Sequence, residues 1–183
     1  LGPHRKRVEK WNIKTSVLDL VPFRAKLISP FRVIAPLVFK SWDFSKFDVV
    51  IVSATGAYNP NLIKKKSLHI CYCHTPPRYL YGYKTAREWK KNPLIRVLAG
   101  VVNHVLRMVD FESAQNVDFF IANSAEVAGR IKKFYRRDSK VIYPPVEIPK
   151  VSGIKHFRSG ERSYFLAGGR LARPKRVDLA ILA

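Results

Sequence analysis

Five short segments of the chain are dense in β-branched and aromatic residues: "DVVIVSA" (48–54), "LHICYC" (68–73), "VDFFIAN" (117–123), "KVIYPPV" (140–146) and "SYFLAGG" (163–169). Their apolarity is near-continuous rather than alternating, which predicts strands buried on both faces, as in a parallel sheet. Longer stretches between them carry a helical period. From 93 to 115, Leu94, Val97, Leu98, Val101, Val102, Val105, Leu106 and Val109 recur at the spacing of one helix face, and Pro93 suits the first turn. A second helix is predicted from Ser124 to Tyr135, capped by Asn123 with Glu126 in capping-box spacing. Its Val127, Ile131 and Phe134 point one way and its Lys and Arg residues the other. Nearer the N-terminus, "SVLDLVP" (16–22) reads as a strand and "PFRVIAPLVFKSW" (30–42) as a helix.

Alternating strands and helices predict an α/β fold, a Rossmann-like, doubly wound parallel sheet with right-handed crossovers. The composition changes at "PPVEIPKVSGIKHFRSGERS" (144–163), where Pro, Gly and charge replace apolar runs, as in a linker. The expected organisation is a domain over 1–146, a linker over 147–162, and the opening strand and helix of a second Rossmann-like domain over 163–183. About twenty residues cannot bury a core alone. The single methionine is Met108, so residue 1 is not an initiator, and the chain is expected to be a piece of a longer protein.

Charge narrows the partners. The 183 residues include 34 Lys and Arg against 13 Asp and Glu, a net charge of +21. That excess favours polyanions such as nucleic acid, anionic lipid or phosphorylated ligands, and equally suits a solvated lysine-rich surface. Local clusters are "HRKR" (4–7), "KKK" (64–66), "KK" (90–91) and "KKFYRR" (132–137). With 2 cysteines, Cys71 and Cys73, no disulfide framework can be built, which points to a reducing, cytoplasmic compartment. No apolar signal segment follows the basic N-terminus. The greasiest stretch, 93–109, is interrupted by Arg96, His104 and Arg107, so it is expected to be buried or interfacial rather than membrane-spanning.

In open α/β sheets, ligands bind beyond the carboxyl ends of the strands. Three polar groups fall there: His74, then Asn123 with Ser124, then Gly168, Gly169 and Arg170. In a strand, Cys71 and Cys73 share one face while Tyr72 and His74 share the other. A Cys-x-Cys spacing without a second cluster is a poor zinc site, so the cysteines read as small core residues and no metal is expected. His74, ahead of the stiff Pro76–Pro77 turn, is either a satisfied loop residue or a polar group aimed into a cleft. The segment 78–91 interleaves aromatic and basic residues, as single-strand binders do, but carries no nucleic-acid-binding signature. In "AGGRLARPKR" (167–176), two glycines allow close backbone approach, and Arg170 and Lys175 could grip a diphosphate. A basic surface turn would have the same composition.

Jointly, "CYCHTPPRYLYGY" (71–83), "FFIANSAEVAGRIKKFYRRDSKVIYPPV" (119–146) and "YFLAGGRLARPKRVDLAI" (164–181) resemble the GT4 family of GT-B retaining glycosyltransferases, especially its bacterial mannosyltransferase-like members. The resemblance covers roughly residues 40 to 183, with "FDVVIVSATGAY" (47–58) similar to a preceding strand and loop of the family. It implies a GT-B fold, whose N-terminal domain handles the acceptor and whose C-terminal domain holds a nucleotide sugar. His74 then matches the histidine beside the transferred sugar. Arg170 and Lys175, with Gly168 and Gly169, match the donor-diphosphate site. Asn123 and Ser124 match the interdomain-cleft motif, and Arg78 is grouped with them.

The implied reaction is transfer of a hexosyl unit from a nucleotide sugar, mannosyl from GDP-mannose being the leading case. Anomeric configuration would be retained, the acceptor would be a glycan or lipid-linked molecule, and no metal or other cofactor would be needed. Cell-surface polysaccharide biosynthesis at the inner face of a membrane is the implied setting. The family's first strand with its Gly-rich loop, and its downstream pair of glutamates, have no counterpart in this sequence. The 183-residue chain alone is therefore expected to be inactive. The alternative, carried by charge and aromatics alone, is a basic non-catalytic module binding nucleic acid or anionic membrane.

Overall fold

The structure, a computed structural model, describes residues 10–22, 24–56, 66–83, 93–146, 168–169 and 177–182. In chain order these form a 3-10 turn Val17–Leu20, α1 Arg24–Lys40, β1 Val49–Thr55, β2 Leu68–Thr75, α2 Pro93–Gln115, β3 Phe119–Ala122, α3 Ala125–Tyr135, β4 Ser139–Val141 and α4 Val177–Leu182. The strands make one parallel sheet in the order β1-β2-β3-β4. The molecule is thus the expected Rossmann-like α/β fold. The strand predicted over 163–169 lies outside the described residues except for Gly168 and Gly169.

Burial is one-sided. Val50, Val52 and Ala54 of β1, Cys71 and Cys73 of β2, and Phe120 and Ala122 of β3 form one cluster with Ala114 of α2 and Val127, Ile131 and Tyr135 of α3. Consecutive parallel strands joined by right-handed crossovers place their helices on one face, and α2 and α3 share that face here. The other face carries Val49, Ile51, Leu68 and Phe119, with Ile51 70% and Phe119 61% exposed. The near-continuous apolarity therefore marks a sheet with two apolar faces, of which the described helices cover one.

Two local expectations change. Residues 16–22 make a 3-10 turn instead of a strand, with Asp19 N–H donating to the Ser16 carbonyl at 2.9 Å and Val21 N–H to that of Leu18 at 3.4 Å. Among the described residues no strand pairs with this segment. The cap of α3 is Ser124 rather than Asn123. Ser124 is extended, and its Oγ accepts from Val127 N–H at 3.3 Å. Glu126 instead pairs with Arg130, one turn on, at 3.0 Å.

Two side chains lock the layers. Arg137 donates to the carbonyls of Ala114, Gln115, Val117 and Asp118 at 2.6–3.3 Å. It thereby closes the C-terminal end of α2, where unpaired carbonyls and the helix dipole favour a cation. Asp110, fully buried on α2, accepts from Tyr81 Oη at 2.8 Å and from Tyr135 Oη at 3.2 Å. One carboxyl group so joins α2, the loop after β2 and the end of α3.

Candidate functional site

The carboxyl ends of β1, β2 and β3 form a shelf. β1 is followed directly by Gly56, whose φ of +91° is a left-handed conformation that favours glycine. A Cβ there would lie 2.5 Å from Pro77 Cγ and 2.9 Å from Pro77 Cδ, so the close approach of the Pro76–Pro77 turn to β1 also requires glycine. Both prolines are fully buried. The stiff turn predicted after β2 is therefore clamped against the end of β1.

His74 stands where β2 leaves the regular ladder. Ala54 pairs with Cys73 and Thr55 with Thr75, so His74 is the extra residue of a β-bulge. Bulges re-aim side chains and often flank active sites. His74 is exposed on the open face, with Nε2 3.0 Å from Ser53 Oγ on the neighbouring strand. Tyr72 packs its ring edge-to-face on the imidazole, centroids 5.4 Å apart, and donates its hydroxyl to the Ile142 carbonyl at 3.1 Å. His74 is thus fixed from two sides. Among the described residues, its Nδ1 makes no hydrogen bond.

Cys71 and Cys73 point to the opposite, buried face, which separates them from His74 and removes a shared metal site. Burial, reinforced by Cys71, pushes the Cys73 thiol up to about 12, so it stays protonated at neutral pH. No group of three or more His, Cys, Asp or Glu is gathered as a metal site among the described residues.

Asn123 and Ser124 follow the paired residues Ala122 and Cys73, so they lie beside His74 at the same end of the sheet. Ser124 Oγ donates to Asn123 Oδ1 at 3.2 Å while capping α3. From α3, Arg130 reaches back to the end of β2. Its Nη1 donates to Thr75 Oγ1 at 3.1 Å, and the guanidinium lies 4.7 Å from the centre of the Tyr83 ring. Its charge is shared with Glu126, to which Nη2 and Nε donate at 3.0 and 3.2 Å, so Arg130 serves chiefly to tie α3 to the end of β2. Arg78 is exposed on the turn beyond, where its carbonyl accepts from Tyr83 N–H at 3.0 Å.

Of the expected diphosphate site, Arg170 and Lys175 lie outside the described residues. Gly168 and Gly169 are exposed, and Gly169 has φ +143°, another backbone conformation that favours glycine. No hydrogen bond joins these glycines to His74, Asn123 or Ser124 among the described residues. The structure therefore assembles the histidine and the Asn-Ser pair. Strand alternation alone puts Tyr72 on the His74 face, whereas no motif marks Ser53 or Arg130, the serine inside "VVIVSA" being the one hint of the former.

The chain is similar to the alpha-1,3/1,6-mannosyltransferase alg2 of Schizosaccharomyces pombe, with 25% identity over 146 residues. The alignment covers 76% of this chain and 27% of that protein, so the chain spans about a quarter of its relative's length. No family model and no solved structure matches.

Proposed function

We propose that this chain supplies the acceptor-side domain, and the start of the donor-side domain, of a retaining glycosyltransferase of the GT4 type. It would transfer a hexosyl unit, mannosyl from GDP-mannose in the leading case, to a glycan or lipid-linked acceptor. The observation that carries the reading is the similarity to a mannosyltransferase along three-quarters of the chain. Its support in the geometry is His74, aimed by a bulge from the carboxyl end of a parallel sheet beside Asn123.

The chemistry is consistent with these residues. Breaking the bond between sugar and diphosphate builds positive charge on the sugar and negative charge on the leaving group. Arg170 and Lys175 would neutralise the diphosphate as it leaves, stabilising the transition state more than the ground state. His74 would border the anomeric carbon, held by Ser53 and Tyr72. Gly168 and Gly169 would let backbone approach the phosphates.

The test uses the complete protein with a panel of radiolabelled nucleotide sugars and membrane extract as acceptor. The expected result is transfer from one donor, lowered by about 100-fold or more in Arg170→Ala and His74→Ala, with product anomeric configuration matching the donor by NMR. Absence of transfer from every donor, with nucleic-acid binding that survives Arg170→Ala, would replace this reading with a basic binding module.

A further inference from the structure

Arg130 ties α3 to the end of β2, yet α3 has a firmer hold on the sheet elsewhere. Val127, Ile131 and Tyr135, at successive helical turns, are buried in the core. Glu126, Arg130 and Phe134, also one turn apart, form a second row beside them. This row grips the turn that follows β2. Tyr81 stacks on Phe134 with ring centroids 4.1 Å apart, and Tyr83 meets Phe134 edge-to-face at 6.1 Å.

Arg130 touches both ends of that turn. At the near end, Nη1 donates to Thr75 Oγ1, and this hydroxyl donates in turn to the Pro76 carbonyl at 3.3 Å. At the far end, the guanidinium lies over the Tyr83 ring. Its remaining donors go to Glu126. One planar fork therefore serves three partners together, which the single nitrogen of a lysine could not do. The ion pair does not explain the arrangement. The Glu126 side chain is 73% exposed, and a surface pair at this spacing contributes little.

Thr75 is the residue that completes the bulge. Thr55 pairs with it, and His74 is left out of the register. A regular ladder would instead pair Thr55 with His74, and the imidazole would lose the direction that the bulge imparts. An anchor that reaches Thr75 from the helix layer favours the bulged arrangement over the regular one.

We propose that Arg130 is a positioning residue for His74. By holding Thr75 at one end of the turn and Tyr83 at the other, it fixes the bulged register that aims the imidazole. It acts through Thr75, not by contact with a substrate. Its bearing on sugar transfer rests on the function proposed above; its bearing on the His74 ring does not.

The test uses two variants of the complete protein: Arg130→Lys, which keeps the charge, and Thr75→Val, which removes the hydroxyl and keeps the shape. Arg137→Ala is the control, because it loosens the fold at the opposite end of the sheet. The measurements are the His74 ring resonances, and kcat and KM for transfer under conditions where urea unfolding shows each variant to be folded. Arg130→Lys and Thr75→Val should shift the His74 resonances and lower kcat by about tenfold, with little change in KM for the donor. Their combination should be little worse than Arg130→Lys alone, because both changes break the same bond. Arg137→Ala should lose stability while the His74 resonances and kcat stay near those of the unsubstituted protein. Three outcomes overturn the proposal. One is His74 resonances that move in neither variant. Another is shifted resonances with undiminished kcat in an active protein. The third is Arg137→Ala matching the other two, which assigns the effect to a loosened fold. If the unsubstituted protein transfers no sugar, the transferase reading fails, and the resonances alone decide whether Arg130 aims His74.

Discussion

Ser53 and His74 meet across two strands at 3.0 Å, and this contact governs which imidazole nitrogen faces the shelf. With Nε2 engaged, Nδ1 is the atom left for a ligand. Ser53→Ala should therefore redistribute the His74 tautomers in long-range 1H–15N spectra while leaving the fold intact. Under the proposed function, the same change should lower transfer by the complete protein severalfold. An unchanged tautomer would mean that the bulge and Tyr72 suffice to set the ring. Asp110 is the second residue of consequence. Asp110→Ala would orphan the hydroxyls of Tyr81 and Tyr135 and should cost about 2–4 kcal/mol in urea unfolding, whereas Tyr81→Phe should cost nearer 1 kcal/mol. Neither Ser53 nor Asp110 could be assigned from sequence. Asp110 follows Val109 on a helix read by its apolar positions, and the aromatic hydroxyls that satisfy it come from residues 29 and 25 positions away. Polar pairing across such distances leaves no local pattern.

Among the elements, α2 was readable end to end, because a strong 3.6 period and Pro93 define it without help from tertiary contacts. α1 was not: it starts at Arg24 and runs through Pro30, where the sequence suggested a beginning. The cap of α3 moved by one residue because Asn123 and Ser124 both have capping side chains, and backbone geometry chose between them. The loop–strand clamp at Gly56 yields a sharper prediction. Gly56→Ala would put a methyl group into Pro77 in an unfavourable backbone conformation, and about 2 kcal/mol or more of stability should be lost. The same change should displace the turn that follows His74, visible as shifted His74 resonances. Arg137→Ala removes the donor to four carbonyls and should destabilise by about 2–3 kcal/mol, with faster amide exchange at the end of α2 and the start of β3.

At the scale of the molecule, two buried acids and one partly buried acid are held protonated by the fold. Burial and the Asp110 charge push Tyr81 and Tyr135 well above their ordinary 10.0, and burial raises Cys73 from 9.0 to about 12. In the unfolded chain these groups lose protons first. The unfolded state then binds fewer protons than the folded one, so stability falls as pH rises from about 9, with buried Cys73 and Tyr135 each adding up to about 1.4 kcal/mol per pH unit and the partly exposed, solvent-screened Tyr81 less. Urea midpoints should decline steadily above that pH, and the decline should start later in Cys73→Ala. What the whole fold concealed from the sequence was the one-sided burial, since Ile51 and Phe119 are as apolar as the residues that face the helices. The order of the strands also carries a history. β3 and β4 are joined by the compact crossover through α3, whereas β2 must wait for residues 76–118 to close before it meets β3. Closing that longer loop costs about 1 kcal/mol more in chain entropy. The β3-α3-β4 unit should thus acquire protection first in pulse-labelled refolding. The shelf that presents His74 beside Asn123 should be the last part to assemble, because it spans the seam between an early half and a late one.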